Sequence, residues 1–538
     1  METNGESATV DESLETIGAA ESAETTTSRR RFVAGTALSG LAALGLSPNE
    51  TTAQSDVPYH EEYRTVVNVA EAGADTTGQK SITPVLESLR ANNTLLYFPP
   101  GRYAMDSQFR FTGFERFGVV GNDATLVPAD YHDFDGPRYR LFRLGTHVNP
   151  GGHLRFEGFT VDQTAPDTGI RAIEAWASDR LEVRDVHVRG QHDSGTWGPG
   201  LFNVVDPDGT GLVENFRAPG GAAWIQNTPN AGNNWRGPIG IEANHTEGTL
   251  TFRRCMLGAF PSNGLYATDG EGQIIVDGGL YRNSNPVSLR VGGTNSRVLW
   301  PTVEIDETRP PDGSQRGIQV DHGTVHIEGA AIRNSSPLPN SHAIAVLNSS
   351  DGVRIEDTTI EIRGDRVNHG IVVSPQAGAS TIVDTEISHD TAGGYPLWIR
   401  ETEVTDPVRC RNLTVTGESG DAAGFRDGIH CRRDDCEFDD CDVEQLGRDG
   451  VRRNALVNAG DDCSVYAGTY RASEYPFVEL GTNTIYARTD AESYRDRAAI
   501  HLYEESSDVT LVLNRLANGI RNDGSDRLVT ARNTYRND

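Results

Sequence analysis

The feature of this sequence that most constrains its fold is a short strand pattern that recurs at nine places along the chain. In copies such as Gly240–His245, Gly264–Asp269 and Gly317–His322, a glycine precedes alternating apolar and polar residues. The other copies begin at Pro286, Ala343, Gly370, Pro396, Gly428 and Gly450. A repeat of roughly 20 to 30 residues marks a solenoid, because one unit cannot bury its apolar face without neighbours. No helical periodicity accompanies the repeat, so the sequence predicts an all-β solenoid, the parallel β-helix.

The charge of the chain limits its partners. It has 77 acidic and 48 basic residues, a formal net charge of −29, and Lys80 as its single lysine. Such a surface tolerates concentrated salt, because salt at 1 M screens charges beyond about 3 Å. The composition therefore resembles that of halophilic proteins. It argues against nucleic acid as a partner, since nucleic-acid binding needs a basic surface.

The N-terminal residues predict export. An arginine triplet at 29–31 precedes an apolar run of small residues, Phe32 to Leu46, and this arrangement resembles a twin-arginine signal. The run is too short to span a membrane as a helix. We therefore expect a secreted or cell-surface protein without a membrane span. The predicted organisation is a signal peptide and leader at 1–53, an N-terminal cap at 54–108, coils at 109–483 and C-terminal strands or a cap at 484–538.

The predicted cap carries a resemblance to a known superfamily. The strand Val66–Val69 leads through a Gly/Asp turn to a helical stretch of about Ser81 to Ala91, and the segment Leu95–Tyr103 ends in Pro-Pro-Gly-x-Tyr. This order resembles the N-terminal cap of the pectate-lyase-like β-helix superfamily, which includes pectate lyases, polygalacturonases, alginate lyases and phage tailspikes. The resemblance implies a right-handed parallel β-helix whose open end is covered by a short helix, and it makes a carbohydrate the expected partner.

Stacking of the copies predicts one exposed sheet. In each copy the Ile and Val face inward, while the residue between them and the residue after Val face outward. Two groups of chemically active residues then emerge along the outward ladder. The first predicted group is Glu242, His245, Tyr266, Asp269, Arg290, Asp321 and His322. The second predicted group is Trp398, Arg400, His430, Arg432, Arg433, Arg452 and Arg453.

An elongated face of this kind suits a polymer that crosses several coils. Aromatic rings stack on sugar rings, and arginine forks bind carboxylates or sulfates in a bidentate manner. We therefore expect an acidic polysaccharide as substrate. The expected substrate-binding residues are Tyr266, Trp176, Trp398, Arg400, His430, Arg432 and Arg452.

Elimination by a polysaccharide lyase is the leading chemical hypothesis. Such a reaction needs a base near C5 of the uronate and neutralisation of its carboxylate. The resemblance to the superfamily implies that Arg or Lys is the base and that Ca²⁺ held by carboxylates is the neutralising ion. We expect Arg290 to be the base or a substrate clamp. The carboxylates of Asp269, Asp321 and Glu242 then hold Ca²⁺ or act as acid and base, with Asp269 and Asp321 the expected metal ligands. His245 and His322 are expected as auxiliary acids.

Two other functions remain open. A glycoside hydrolase of the same fold would use a pair of carboxylates, such as Asp269 and Asp321, separated by roughly 5 to 9.5 Å. A non-catalytic glycan-binding or cell-surface protein would use the same face without turnover. The sequence leaves the sugar and the oligomeric state open.

Five of the six cysteines lie within residues 410–463. Alignment of the coils places Cys436 and Cys463 in one column, and stacked strands lie about 4.8 Å apart. That separation is within disulfide reach. The sequence is equally compatible with reduced thiols stacked in the core.

Overall fold

The chain winds through three parallel sheets, which we call A, B and C, and each complete turn contributes one strand to each sheet. The structure, a computed structural model, describes residues 57–135, 139–231, 236–401 and 406–536. The architecture confirms the predicted right-handed parallel β-helix. The predicted signal peptide and leader lie outside the described residues. Within the described residues, no helix is long and apolar enough to cross a bilayer.

Most strands belong to a single sheet, and a few continue from one sheet into the next. Sheet A contains Thr65–Asn68, Thr94–Phe98, Thr249–Arg253, Gln273–Asp277, Ser296–Leu299, Gly323–Glu328, Ser350–Glu356, Glu437–Asp439, Ser464–Tyr466, Ile485–Ala487, Thr510–Val512 and Val529–Ala531. Sheet B contains Thr77–Ser81, Gly101–Met105, Met256–Leu257, Leu280–Arg282, Thr302–Ile305, Ala331–Asn334, Thr359–Arg363, Asp442–Gly447, Thr469–Ala472, Asp490–Ser493, Arg515–Ala517 and Thr534–Arg536. Sheet C contains Phe109–Phe111, Arg140–Leu144, Gly200–Val204, Ile241–Glu242, Leu265–Ala267, Val287–Val291, Arg316–Val320, Ser341–Val346, Asn368–Val373, Leu397–Ile399, Asp427–Cys431, Asn454–Asn458, Phe477–Glu479, Ile500–Leu502 and Ile520–Asn522. Continuous strands that serve sheets A and B are Arg116–Pro128, Gly151–Gln163, Thr210–Ala218, Ala379–Asp390 and Val408–Ser419, and Arg171–Gly190 passes through all three sheets.

The N-terminal end is closed by a helix. This α-helix, Thr83–Leu89, takes the place of a sheet C strand in the first turn and packs against Phe109–Phe111. It is shorter than the predicted stretch from Ser81 to Ala91. The Pro-Pro-Gly-x-Tyr motif has a local reason, since the buried Tyr103 hydroxyl donates a hydrogen bond of 2.6 Å to the Pro99 carbonyl. The helix thus covers apolar core and strand edges that would otherwise be exposed. The described residues also contain 3₁₀ segments at His60–Glu62, Ile225–Asn227, Ala422–Gly424 and Arg448–Gly450.

The corner between sheets A and B depends on left-handed backbone. One residue at this corner has positive φ in turn after turn, as at Asp185, Asp384 and Asn412. Gly and Asn or Asp adopt this conformation at the lowest steric cost. Corner residues of adjacent turns also form hydrogen bonds with one another, since the Asn412 amide donates to the Asp384 carboxylate at 2.6 Å. The repeated left-handed corner explains why the sequence is rich in Gly, Asn and Asp.

The core is built from stacks of like residues. The isoleucines Ile318, Ile344 and Ile371 are in register in sheet C and are fully buried. Rings fill the N-terminal coils, where Phe142 and Phe156 meet edge to face at 5.2 Å. The inward orientation predicted for the Ile and Val positions is therefore confirmed for the copies that form strands.

Two parts of the predicted ladder need correction. The strand Gly200–Val204 adds a rung between Arg171–Gly190 and Ile241–Glu242 that the sequence alignment lacks. The copy at Gly450 is not a strand, because Arg448–Gly450 forms a 3₁₀ turn and the strand is Asn454–Asn458. Val457, and not Arg452, therefore occupies the ladder position beside His430.

Candidate functional site

The outer face of sheet C presents a middle column of side chains that runs the length of the helix. In chain order it reads Arg143, Glu174, Leu201, Glu242, Tyr266, Arg290, Gln319, Ala345, Val372, Trp398, His430, Val457, Val478, His501 and Arg521. The structure thus brings Glu242, Tyr266 and Arg290 together on consecutive rungs, with Asp321 two residues beyond Gln319 on the next. Arg290 aligns with Tyr266 and Gln319, whereas the sequence alignment places Ser288 in that row.

A second column on the same face lies three residues before the middle column and escapes the sequence pattern. Its members include Arg140, Arg171, Arg316, His342, His369, Tyr395 and Asp427. The two columns touch, since the Arg316 Nη1 donates to the Gln319 Oε1 at 2.6 Å. Residues three apart share one face because the two residues between them, Gly317 and Ile318, both face the core. A Cβ on Gly317 would meet Val303 and Ile332 at 3.3 and 3.4 Å. The signal in the sequence is the residue two positions before the ladder residue, which is Gly, Ala, Ser or Pro on the rungs from Glu174 onward.

Arg290 is held by two of its neighbours, Asp321 and Tyr266. Its Nε and Nη2 lie 2.7 and 2.5 Å from the Asp321 Oδ2, and its guanidinium carbon lies 4.8 Å from the Tyr266 ring centre. Gln319 donates to the other oxygen of Asp321 at 2.6 Å. Burial acts to lower the pKa of Arg290, but the charge of Asp321 and the other neighbours outweigh it and raise the pKa. The guanidinium therefore stays protonated, which favours the clamp over the base among its expected roles.

Tyr266 and His322 are also engaged. The Tyr266 hydroxyl donates to the Asp269 Oδ2 at 2.7 Å, and burial, with support from that carboxylate, raises the pKa of the phenol well above its usual value. The His322 ring lies 3.0 Å from the Thr268 hydroxyl through Nδ1 and 3.1 Å from the Gly270 carbonyl through Nε2. Because a carbonyl only accepts, Nε2 carries the proton and Nδ1 accepts from Thr268. Both nitrogens of His322 are thus used in holding the strand ends.

The carboxylates of this group do not fit the Ca²⁺ expectation. Calcium takes six to eight oxygen ligands in proteins. Asp321 gives its two oxygens to Arg290 and Gln319, and Asp269 accepts a hydrogen bond from Tyr266. Among the described residues, no set of three carboxylates converges here. The residues present therefore do not form a Ca²⁺ site, and no step is assigned to the ion.

Glu242 and Trp176 belong to a separate ion cluster nearer the N-terminus. Arg171 bridges two rungs, with Nη1 3.4 Å from Glu174 and Nη2 3.1 Å from Glu242. His245 is exposed and stacks near the buried Trp176 ring at 5.8 Å. Burial acts to raise the pKa of Glu174, but the surrounding arginines outweigh it and lower the pKa, so this carboxylate stays ionised. The cluster holds coils together and leaves Glu242 as its half-buried member.

The second predicted group divides into buried and exposed arginines. Arg433 and Arg453 are fully buried and bind main-chain carbonyls. Burial lowers the pKa of Arg453 to about 10, so it is charged at neutral pH. The exposed Arg452 pairs with Glu474 at 3.5 Å outside the column. The second predicted group includes all three arginines on the exposed face, whereas the structure buries Arg433 and Arg453.

The remaining members of that group form a patch together with two further aromatic residues, Tyr395 and Phe425. We call it the cationic aromatic patch, and it consists of Tyr395, Trp398, Arg400, Phe425, His430 and Arg432. The Arg400 guanidinium carbon lies 5.2 Å from the Trp398 ring centre, and Trp398 packs against Tyr395 at 5.4 Å. Arg432 reaches Glu401 at 3.1 Å at the edge of the patch. Within the described part of the chain, no carboxylate oxygen lies within 4.0 Å of the Arg400 guanidinium.

Two imidazoles border the patch. His342 and His369 lie on adjacent rungs with ring centres 5.5 Å apart, and His369 packs on Trp398 at 5.0 Å. Burial lowers the pKa of His369 to about 3. Burial, followed by His369, Arg316 and Arg400, lowers the pKa of His342 well below its usual value. Both rings are therefore neutral at physiological pH.

Two surface depressions lie elsewhere, beyond the strands of sheet B. One has a volume of about 430 Å³ and includes Gln163, Pro166 and Asp193 in its lining. The other, of about 300 Å³, includes Arg309 and Asp312. Neither is lined by a residue of the predicted groups. The predicted groups therefore lie outside both depressions.

Comparison with known proteins adds little beyond the architecture. No family model and no curated protein matches the chain. Among solved structures, the adhesin PfbA of Streptococcus pneumoniae is 10% identical, with 87% of this chain and 93% of that chain covered and a TM-score of 0.32. The A-module of the Azotobacter vinelandii mannuronan C-5 epimerase AlgE4 is 11% identical, with 88% and 97% covered and a TM-score of 0.27. The DFA-IIIase of Arthrobacter chlorophenolicus is 10% identical, with 73% and 94% covered and a TM-score of 0.28. The chain is a parallel β-helix protein by its own strand pairing, and its function must be argued from its own side chains.

Proposed function

We propose that the protein binds an acidic polysaccharide along the outer face of sheet C, with the cationic aromatic patch as the main binding region. The observation that carries this proposal is the position of Arg400 over Trp398, with no carboxylate oxygen within 4.0 Å among the described residues. An aromatic face offers stacking to a sugar ring, and the adjacent guanidinium offers a fork to its carboxylate.

The electrostatics of the chain support an anionic ligand at this place. A net charge of −29 repels polyanions at long range, so binding depends on local positive charge at close contact. Arg400, Arg432 and the exposed Arg426 concentrate such charge around the rings of the patch.

The length of the face supports a polymer. From Arg290 to His430 the middle column crosses five strand spacings, which is about 24 Å. The rungs between carry short side chains at Ala345 and Val372. Several sugar units fit between the two ends, and Arg290 would then contact the chain away from the patch.

Elimination is the reaction that we propose for this face. A base removes the proton at C5 of a uronate, the electron pair forms the C4–C5 double bond, and the glycosidic oxygen leaves C4 and takes up a proton. His342 is the proposed base, because its ring is neutral and can accept a proton; the neighbouring charges of Arg316 and Arg400 lower its basicity. Those charges would stabilise the carboxylate as negative charge builds up during proton removal.

The competing hydrolase depends on Asp269 and Asp321. A general acid must hold a proton at the working pH. Asp321 instead has one oxygen in contact with Arg290 and the other accepting a hydrogen bond from Gln319, so neither oxygen is free to deliver a proton to a glycosidic oxygen. The geometry therefore favours elimination over hydrolysis, and binding without turnover is the remaining alternative.

The test is incubation with a panel of polyuronates and neutral polysaccharides. Ultraviolet absorbance from the unsaturated product supports elimination, new reducing ends without that absorbance identify a hydrolase, and retarded migration in polymer-containing gels without product identifies a binding protein. Arg400→Ala should weaken binding to the acidic polymers, whereas Arg409→Ala, an exposed arginine on sheet A, should not. Equal binding of neutral polymers, or unchanged binding by Arg400→Ala, contradicts the proposal.

A further inference from the structure

Three thiols converge inside the solenoid, away from the face described above. The sulfur atoms of Cys431, Cys436 and Cys463 all lie within 4.8 Å of one another, and all three residues are buried. Cys431 ends a sheet C strand, while Cys436 and Cys463 stand in register just before adjacent strands of sheet A. The fold confirms the predicted column of Cys436 and Cys463, and all six cysteines of the chain are free thiols.

The spacing of the sulfurs suits a single metal ion. Three thiolates around an ion at about 2.3 Å, the usual Zn–S distance, are about 4.0 Å apart. The present hydrogen bonds of these thiols are weak and shared, since Cys431 and Cys463 both donate to the Arg433 carbonyl, at 3.4 and 3.5 Å. Their rearrangement around an ion would therefore cost little hydrogen-bond energy.

A buried cation beside the thiols is an independent observation. Arg433 has no exposed surface, and its guanidinium donates to the carbonyls of Ala377, Asp406, Ser374 and Pro375 at 2.7 to 3.2 Å. Its Nε has no hydrogen-bond partner, and among the described residues no carboxylate oxygen lies within 4.0 Å of it. Buried charges are normally paired. Cys431 and Cys463 both contact the carbonyl of this same residue, so a negatively charged thiolate cluster here would supply the missing partner.

We propose that Cys431, Cys436 and Cys463 form a binding site for one thiophilic d¹⁰ cation, with Cu(I) as the ion, and that Arg433 balances the negative charge of the complex. Each thiol that binds loses its proton to solvent. One Cu(I) with three thiolates carries a charge of −2, and the positive charge of Arg433 reduces the negative charge of the unit to −1.

The absence of a fourth donor selects the ion. Asn458 is paired with Cys431 on the adjacent strand of sheet C, and its amide nitrogen already donates hydrogen bonds to Gly460, Glu479 and Thr484. The described residues show only the three sulfurs as a ligand group here. Zinc prefers four ligands in structural sites, whereas soft sulfur ligands favour Cu(I). Three sulfurs in a dry interior therefore suit Cu(I) better than Zn²⁺.

The chain supplies its own control. Cys410 and Cys441 are buried thiols of the same core but stand outside the triad, with the Cys441 sulfur 3.9 Å from the Cys410 carbonyl. Cys410→Ala removes a thiol of similar burial and leaves the three ligands in place. Cys436→Ala removes a ligand with an equally small change in volume.

The full chain, kept reduced, is titrated with Cu(I) against a chromophoric Cu(I) chelator, with Zn²⁺ as a competitor. We expect one copper per chain, thiolate-to-copper absorbance in the ultraviolet, and X-ray absorption from a first shell of about three sulfurs. The Cys410→Ala variant should retain the copper, and Cys436→Ala should yield it to the chelator, with affinity reduced at least about a hundredfold.

Several results would overturn the proposal. These are failure of the wild-type protein to compete with the chelator, equal copper retention by Cys436→Ala, displacement of the copper by equimolar Zn²⁺, or a native disulfide between Cys436 and Cys463 in the mass spectrum. If Cys436→Ala does not fold, protection of the three thiols from alkylation by added Cu(I) in the wild-type protein decides the question. In this experiment the protein is denatured while the alkylating reagent is present. The extent of alkylation of Cys410 and Cys441 should then be the same with and without copper.

Discussion

The imidazole of His430 lies flat on the phenol ring of Tyr395, with ring centres 4.5 Å apart and planes only 5° from parallel. Asp427 fixes the imidazole, because its Oδ2 lies 2.8 Å from the His430 Nδ1. The Tyr395 ring in turn packs edge-on against Trp398 and Phe425. A rigid aromatic surface of this kind loses little conformational entropy when a sugar chain binds to it.

His430→Ala should therefore weaken binding of an acidic polysaccharide. Loss of one aromatic contact is expected to cost about 1 kcal/mol, or about fivefold in affinity. Calorimetric titration with a defined oligouronate measures the change. His326→Ala on sheet A, whose ring lies beside Glu356, is the matched control and should bind as the wild type does. Equal losses in both variants would contradict a binding role for the patch.

Arg400 and Arg290 should differ in their contribution to the same binding. Arg290 is already neutralised by Asp321, whereas Arg400 lies over the Trp398 ring with no carboxylate oxygen within 4.0 Å in the described part of the chain. Arg400→Ala should therefore cost about 2 kcal/mol, the range of a charge-assisted hydrogen bond, and Arg290→Ala less than half of that. Affinities measured at low and high salt separate the charge contribution, and the reverse ranking would show that the Arg290 region is the principal binding site.

The fold was largely predictable because the repeat carries its own register. The alternation in Gly317–His322 and its relatives fixes which residues face the core, and it placed Glu242, Tyr266 and Arg290 on one face. The misassigned copy at Gly450 fails for a physical reason. The glycine at 450 belongs to a 3₁₀ turn, so the strand begins only at Asn454 and the ladder position falls to Val457.

The candidate site was less predictable. A period of two assigns Arg316 and Gln319 to opposite faces, yet the inward pair Gly317 and Ile318 brings both to the outside. The column that contains His342 and Tyr395 was therefore invisible to the alternation rule. Pairing of Arg290 with Asp321 is also a matter of side-chain direction, which the sequence does not specify.

Arg453 should be essential for stability. Its guanidinium donates to Gln445 and to the carbonyls of Gly420, Phe425, Gly394 and Asp427. Arg453→Met leaves these acceptors buried without a donor and should lower the free energy of unfolding by at least about 3 kcal/mol. Urea unfolding measures the loss. Arg452→Met removes an ion pair from the exposed side of Glu474, which keeps its contact with Arg497, and should cost less than about 1 kcal/mol. Similar losses in the two variants would mean that Arg453 does not hold these loops.

A buried carboxyl should make the stability of the protein depend on pH. Glu479 is fully buried inside the solenoid, where the Tyr486 hydroxyl donates to it at 2.6 Å, the Gly481 amide at 2.7 Å and the Asn458 amide at 3.0 Å. Burial outweighs these hydrogen bonds and raises the pKa of Glu479 to about 7 from 4.5. Between these two values the folded chain holds the proton while the unfolded chain has lost it.

The unfolded state then binds fewer protons, so the stability contributed by Glu479 is complete below about pH 4.5 and falls until the pH passes about 7. The full change is on the order of 3 kcal/mol. Glu479→Gln cannot ionise, so the difference in unfolding free energy between the variant and the wild type should shift in favour of the variant across this window and become constant above it. Chemical unfolding at several pH values measures that difference. A difference that does not vary with pH would show that Glu479 ionises in the folded protein as it does in the unfolded chain.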